Sequence, residues 1–568
     1  MPEGCNIPSA IGKEGGVPPG SESGARVHKG LPRNLGDLFI SCVSIRDGHP
    51  VTKDQAASRS GMHPPAEQTK HPAQVLGAKD TKAARTGEEE SEYSTVPAKQ
   101  GKLPQATLWR EGSTRTIDLV EGQMAGTSSP TTVSTKLHRI ATLAREASGR
   151  VLTTVAHHID GAFLREAFRC TRKDGAVGVD GQTAEAYAEK LDENLTSLLA
   201  RFKSGTYHAP PVRRAYIPKE GGTATRPIGV PTFEDKVLQR AVAMVLEAVY
   251  EQDFLDCSYG FRPKRSPHQA LQAVWDDIMR MRGGWIVKVD IKHCFDTLPH
   301  QHLRSFLDQR VRDGVIRRMI DKWLKAGVLE NGSVSHPEVG TPQGSGISPL
   351  LMNVVMHHVL DVWVEQVVRP RCEGTVILYR FADDAVILCA SERDARRIVH
   401  VLAKRCAKYG LQLHPDKTRV IRFTRPPYAS QGPHHQQEAW PGTFEFLGFT
   451  HYWGRSRQGN WVVKRKTAAT RLTRSLTRIK EWCRRHRHLK VAWQHQQLVL
   501  KLRGHYAYYG ITGNLRALRI FRAEVERVWR KWLNRRSQRG GMTWERFAHL
   551  RKRYLVPEAR IVHSSVVT

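Results

Sequence analysis

Two stretches of this 568-residue chain place acidic side chains where acids are costly to keep. One is Trp285-Ile-Val-Lys-Val-Asp290, an apolar β-type run ending in a carboxylate and followed by Ile291-Lys-His-Cys-Phe295. The other is Tyr379-Arg-Phe-Ala382-Asp383-Asp384-Ala-Val-Ile-Leu388, in which two apolar runs flank Ala-Asp-Asp. Alone, each is ordinary, because strands often end in Asp and hairpin turns often carry one. Together they suggest a chemistry. Hard cations such as Mg²⁺ take carboxylate oxygens and keep room for water and phosphates. Two such ions can activate an attacking hydroxyl and stabilise the leaving oxygen of an in-line displacement at phosphorus. A hairpin tip beside a strand end brings carboxylates from neighbouring strands to one sheet edge. Adjacent residues of a regular strand point to opposite faces, so Asp383 and Asp384 are expected to play unequal roles. Asp290 and Asp383 are the expected primary ligands, with Asp384 as an auxiliary or structural carboxylate.

Two further segments suit a phosphorylated substrate. Gly340-Thr-Pro-Gln343-Gly-Ser-Gly-Ile-Ser348-Pro349 reads as a flexible loop feeding a helix, with Ser348 at the N-cap and Pro349 at the first helical position. Such a loop lets backbone approach a ligand, and Gln343 can hydrogen-bond to a nucleotide or template; a glycine-rich connector would look the same. Lys219 and Arg226 flank a Gly/Thr-rich turn, where cations can clamp a triphosphate or simply sit in solvent. Phe295, five residues after Asp290, is either a core ring or a wall against the ribose edge, where the 2′-hydroxyl distinguishes RNA from DNA.

The elements needed to position these groups can be read from periodicity. Ala215–Pro218 and Pro227–Val230 predict a hairpin, and Thr232 with Asp235 predicts a helix start. β-type runs at 285–289, 375–381 and 385–389 alternate with helical stretches at 349–368 and 395–409, giving an α+β arrangement with a small sheet backed by helices. The Pro-, Gln- and His-rich segment 425–440 reads as a surface loop, and the chain after Trp461 as almost wholly helical. Residues 1–130 hold only three of the 43 aromatics (Phe39, Tyr93 and Trp109) and are expected to be a disordered extension. Met124 is an alternative start, just ahead of the first periodic segment.

Composition points to the partner. Lys plus Arg number 88 against 55 acids, a formal charge of +33 that fits nucleic acid or an anionic membrane. No apolar run approaches the ~18 residues of a membrane span, and no secretory signal pattern opens the chain. Nine Cys without a C-x-x-C pair suit neither a disulfide framework nor a zinc ribbon. A soluble, intracellular nucleic-acid-binding protein is the expectation. Between Lys464 and Tyr554 lie 26 Lys plus Arg and four acids, a net of +22. There Leu472, Leu476, Ile479 and Cys483 form one helical stripe, with Arg471, Arg474, Arg478 and Arg485 outside it. Tyr506/Tyr508/Tyr509 and Trp529/Trp532 interleave with these cations; most of the Trp residues are expected to be core.

The joint pattern resembles a reverse transcriptase of the group II intron-encoded kind. It is carried by Asp290-x4-Phe295, Pro342-Gln-Gly344 and Ala382-Asp-Asp384, with Ala215-Tyr-Ile-Pro-Lys219, Arg226-Pro-Ile-Gly-Val-Pro231, Tyr259-Gly-Phe-Arg262, His414-Pro-Asp-Lys417-Thr418 and Phe446-Leu-Gly448-Phe449 around it. Upstream, Arg172–Gly181 resembles the family's N-terminal extension. The resemblance covers about Val133 to His563 and implies a right-hand polymerase: N-terminal extension and fingers over 131–284, palm over 285–460, and an all-α basic thumb or maturase domain over 461–568. It also implies RNA-directed DNA polymerase activity with two Mg²⁺ ions held by Asp290, Asp383 and Asp384. Lys219, Arg226, Phe295 and Gln343 resemble nucleotide contacts. Arg262, Lys417, Gly448, Arg471, Arg474, Arg478 and Arg485 resemble nucleic-acid contacts. The implied partners are intron RNA, target DNA, primer–template duplex and dNTPs, with no membrane and a cytoplasmic or nucleoid location in a bacterium. Two readings share many of these residues: a non-catalytic RNA-binding splicing maturase, and a retron- or defence-type enzyme. Many members have Tyr where this chain has Phe381, which leaves the metal site intact. Longer members carry a C-terminal endonuclease with Cys pairs; with Cys483 the last Cys, that module is expected to be absent.

Overall fold

The computed structural model describes residues 132–564 apart from 148, 219–224, 293, 337–338, 341–343, 427–440 and 538–540. The expected extension over 1–130 and most of the expected surface loop at 425–440 lie outside the described residues.

The first half is organised around one helix buried on several sides. Helices α1 (Val133–Glu146), α2 (Gly161–Cys170), α3 (Ala184–Glu189) and α4 (Leu191–Ser204) precede α5 (Phe233–Tyr250). α5 buries Val237, Leu238, Ala241, Val242, Val245, Leu246 and Val249, wider than one stripe, as a helix covered on several sides requires. Thr232 caps it by accepting from the Asp235 amide, as expected. The expected hairpin forms β1 (Val212–Pro218) and β2 (Thr225–Val230), with Arg213 opposite Val230 and Pro218 opposite Thr225. After α6 (Pro267–Arg280), β3 (Trp285–Lys292), α7 (Cys294–Thr297), α8 (His300–Asp308) and α9 (Gly314–Lys325), β4 (Val328–Glu330) pairs parallel to β1, and β5 (Ser333–Ser335) completes a sheet ordered β2-β1-β4-β5.

The second sheet carries the acids. It runs β6 (Val376–Phe381), β7 (Asp384–Cys389), β3, β8 (Gln412–Leu413), with β9 (Arg419–Arg422) also paired to β3, all antiparallel. Its strands bury both faces by simple alternation. Val287, Val289 and Ile291 join the core shared with α5, whereas Ile286, Tyr379, Phe381, Val386 and Leu388 join a second core with Leu271, Val274 and Ile278 of α6. Helix α10 (Ser348–Met356) continues through π-helical turns at His357–Asp361 and Val364–Val368. Its start differs from the expectation: Ile347 is the cap residue, without a side-chain cap bond, and Ser348 and Pro349 are already helical. Helix α11 (Glu392–Lys408) links β7 to β8.

A third sheet, β10 (Phe444–Phe446), β11 (Phe449–Arg455) and β12 (Trp461–Thr467), precedes the final helices. The reading of the chain after Trp461 as almost wholly helical is therefore corrected. Residues 461–467 alternate, burying Trp461, Val463, Arg465 and Thr467 in the manner of a strand, although three of the seven are cationic. Helices begin at Ala469: α12 (Ala469–Arg485), α13 (Val491–Tyr509), α14 (Leu515–Leu533) and α15 (Trp544–Arg553). They enclose a core of Ile479, Cys483, Leu498, Leu502, Leu518, Val525 and Trp529, with Leu472 and Leu476 packed at its edge, so the expected stripe faces inward.

Candidate active site

The β3–β7 register sets Asp290 directly opposite Asp384. Directly opposed residues of an antiparallel pair share a face, so these two carboxylates point the same way. Asp290 is buried, and its backbone is fixed by the next strand connection: the His414 amide donates to the Asp290 carbonyl at 2.8 Å, and the Thr418 hydroxyl lies 3.2 Å from the same oxygen. This gives the His414–Thr418 block a local role, in which Thr418 positions Asp290 and Lys417 stays half-buried beside it.

Asp383 occupies the two-residue turn between β6 and β7, after Ala382 at φ 58°. An alanine there stores backbone strain, which persists only when surrounding structure over-determines it. Arg380, wholly buried, supplies that structure. Its guanidinium makes a two-pronged pair with the equally buried Asp361 (2.7 and 2.6 Å) and donates to Asn353 Oδ1 (2.9 Å), Ser258 Oγ (2.7 Å) and the Ala382 carbonyl (2.9 Å). From above, the Tyr259 amide donates to the Arg380 carbonyl at 2.8 Å, and Gly260 lies so close that a Cβ would collide with the Ala382 nitrogen. Neither Arg380 nor Asp361 was singled out in the sequence. An Arg inside an apolar strand was the available signal.

Asp384 is held differently. The Lys288 ammonium forms an ion pair with it, and Lys288 lies 5.3 Å from the centre of the Phe446 ring. Lys288 sits two residues before Asp290, hence on the same strand face. The three acids thus have unequal surroundings, with Asp384 already matched by a cation.

The loop expected to contact substrate is anchored at both ends. The Gly340 amide donates to the Leu298 carbonyl (2.8 Å), and His300 Nε2 meets the Gly340 carbonyl (2.7 Å). At the far end Gln239 Oε1 accepts from Ser345 Oγ (2.9 Å) and the Gly346 amide (2.8 Å). Gly344, at φ 109°, packs against β2 so tightly that a Cβ would lie 2.6 Å from the Gly229 carbonyl oxygen. Gln239 in turn donates to Asp235 (2.8 Å), which also accepts from Trp323 Nε1 (2.6 Å) and the Tyr207 hydroxyl (3.1 Å). Burial pushes the Asp235 carboxyl up to about 6 despite these donors. Gln343 and Lys219 lie outside the described residues. Arg226 is in β2, its backbone opposite Ile217, and Phe295 is half-buried on α7, just beyond β3.

Other expected nucleic-acid contacts separate. Arg262 is corrected: it is buried, and its guanidinium is taken up by Glu251 (3.0 Å) and by the carbonyls of Leu255 (2.7 Å) and Ser258 (2.9 Å), so it shapes its own loop. Gly448 forms the β10–β11 turn, where the Tyr508 hydroxyl donates to the neighbouring Leu447 carbonyl at 2.8 Å. Arg471 and Arg474 are half-buried on α12, Arg474 with its acidity shifted by burial, while Arg478 and Arg485 are exposed. Tyr506 and Trp529 are core residues, and Tyr508 and Tyr509 pack against Phe449.

Carboxylates on paired antiparallel strands, with a separate β-hairpin and a cationic helical bundle in the same chain, are the plan of a right-hand nucleotidyl-transfer polymerase. Residues 217–451 match the family described as reverse transcriptase (RNA-dependent DNA polymerase). The chain is 43% identical over 191 residues to the group II intron-encoded protein LtrA of Lactococcus lactis subsp. cremoris, covering 33% of this chain and 31% of that protein. It is 30% identical over 337 residues to protein YkfC of Escherichia coli (strain K12), covering 53% of this chain and 83% of that one. An uncharacterized 91 kDa protein in the cob intron of Schizosaccharomyces pombe is 37% identical over 171 residues, 30% of this chain and 21% of that protein. The chain belongs to the reverse transcriptase family, with the group II intron-encoded proteins. The match spans about a third of the length of its LtrA relative. Among the described residues no helix is long and apolar enough to cross a membrane.

Proposed function

We propose that this protein is an RNA-directed DNA polymerase of a group II intron, which binds the intron RNA to assist splicing and copies it into DNA during insertion. The observation that carries this reading is the β3–β7 register that sets Asp290 opposite Asp384, with Asp383 in the adjoining turn. The donor set suits Mg²⁺. It is all carboxylate oxygen, which suits an ion that takes one or two carboxylates and leaves its other positions to phosphates and water. Asp290 and Asp383 would hold it, with Asp384 in reserve on Lys288. Bound there, Mg²⁺ supplies activation of the primer 3′-hydroxyl and charge stabilisation on the phosphates.

The chain's own groups set the rest. Thr418 and His414 hold Asp290, and Arg380 holds the turn that presents Asp383. The contacts at Gly340 and Gly346 hold the two ends of the loop, Gly344 packs against β2, and β2 carries Arg226. Phe295, half-buried on α7, is the proposed ring that selects against a ribose 2′-hydroxyl. Intron RNA, primer–template duplex, target DNA and dNTPs are the proposed partners, and the +22 segment from Lys464 to Tyr554 supplies the phosphate contacts. A bacterial cytoplasmic or nucleoid location follows from this reading.

Primer extension on an RNA template tests it. Wild type is expected to extend, and Asp290→Asn and Asp383→Asn to lose extension while retaining RNA affinity. If wild type and Asp383→Asn extend equally poorly while splicing assistance persists, the protein is a non-catalytic maturase instead.

A further inference from the structure

The cationic bundle carries aromatic rings of two kinds, and only one kind is available to a ligand. Trp529 and Tyr506 are buried in its core, and the Tyr506 and Tyr508 hydroxyls are spent on the carbonyls of Pro557 and Leu447. Trp544 is exposed, but the Arg530 guanidinium lies 3.8 Å from its ring centre. At the corner where α12 turns into α13 the arrangement differs. Trp482 and Trp493 stack with ring centres 5.9 Å apart and planes 20° from parallel, and His486 lies 5.0 Å from the first ring and 5.5 Å from the second. Trp493 keeps 38% of its surface in solvent.

The charge around these rings is equally one-sided. Arg484, Arg485, Arg487 and Lys490 surround the corner in sequence, and the Lys501 ammonium lies 5.3 Å from the Trp482 ring centre. None of these five cations forms an ion pair with a carboxylate among the described residues. From Trp482 to Ala523 the chain carries no acid at all. A ring platform bordered by unneutralised cations matches the two chemistries of a single-stranded nucleotide, a π-face to stack and a phosphate to pair. Duplex RNA would use the cations but not the rings, since its bases are already stacked.

We propose that Trp482, His486 and Trp493 form a stacking platform for an unpaired base of bound RNA, with Arg485 and Lys490 on the adjoining phosphates. This rests on the reading of the basic bundle as an RNA-gripping element and says which form of RNA it takes at this corner. Fluorescence anisotropy of the full chain with a labelled single-stranded oligouridylate and with an RNA duplex of equal length tests it. Trp493→Ala is expected to weaken single-strand binding roughly tenfold. The same variant should change duplex binding less than about twofold, at unchanged melting temperature. Trp493→Phe should restore most of the loss. The slope of log K against log salt should stay unchanged in Trp493→Ala and become shallower by about one in Arg485→Gln. Equal single-strand binding by wild type and Trp493→Ala, or equal losses on both RNAs, overturns the platform. Failure of wild type to bind either RNA overturns the RNA-gripping bundle itself, and the platform with it.

Discussion

Asp290, Asp383 and Asp384 were legible because each interrupts an apolar β-run, a pattern visible within a few residues. Their unequal surroundings were also foreshadowed by strand alternation, although Lys288 as the partner of Asp384 was not. What could not be read was the support beneath them. Asp361 reaches Arg380 only because a π-helical turn, His357–Asp361, sets its side chain under the sheet, and nothing in local spacing announces such a turn. Arg262 failed in the opposite direction: a motif arginine looked available for phosphate until Glu251 was seen to occupy it. Removing one partner of a buried pair strands the other charge, at about 3–5 kcal/mol. Asp361→Asn keeps the shape but leaves Arg380 without its counter-ion. It is expected to lower unfolding stability by about 3 kcal/mol in urea titration, and to reduce primer extension to the fraction that remains folded. Stability within error of wild type would show that Arg380 does not depend on this carboxylate.

At the level of elements, the hairpin β1–β2, the palm-type strands and the inward stripe of α12 all followed from periodicity. β12 did not, because its Lys and Arg residues disguised a strand whose alternate members are buried. The turn between β6 and β7 is the element most tightly specified by its surroundings. Ala382 adopts φ 58° under the backbone of Gly260, with its carbonyl held by Arg380. A glycine there removes the left-handed strain but loosens the unfolded chain, so Ala382→Gly should stay within about 1 kcal/mol of wild type. A β-branched residue tolerates positive φ worst. Ala382→Val is expected to cost about 1–3 kcal/mol and to slow extension, with RNA affinity unchanged. Urea midpoints for the two variants decide it. Equal midpoints for Gly and Val would mean that the turn relaxes freely and is not clamped.

Across the whole molecule, the excess of cations constrains its histidines. Five of them lose much of their solvent, His357 and His451 buried and His268, His358 and His505 half-buried, and desolvation pushes each well below the usual 6.5, to about 4 for His268, His357 and His358 and about 3 for His451 and His505. Neighbouring cations add to the effect at four of them: Arg465 at His268, Arg380 and Arg262 at His357, Arg405 at His358, and Arg465 and Lys288 at His451. The unfolded chain therefore binds more protons than the folded one between pH 6.5 and about 4. Stability must fall as pH drops through that window, because each buried imidazole can charge only by leaving its site. Each such group contributes about 1.4 kcal/mol per pH unit. Asp235 and Glu247 work in the other direction. Burial raises both, Asp235 to about 6, so the folded state gains protons from them as pH falls below that value. With His158 counted, six histidines stand against three carboxylates, Asp253 being raised by burial as well, which leaves a net loss of stability as pH falls through that window. Thermal or urea unfolding at pH 7.5 and pH 5.5 is expected to show a clear drop in midpoint at the lower pH. A flat or rising midpoint would mean that these imidazoles take up protons in place, and that the cationic interior is better hydrated than their burial allows.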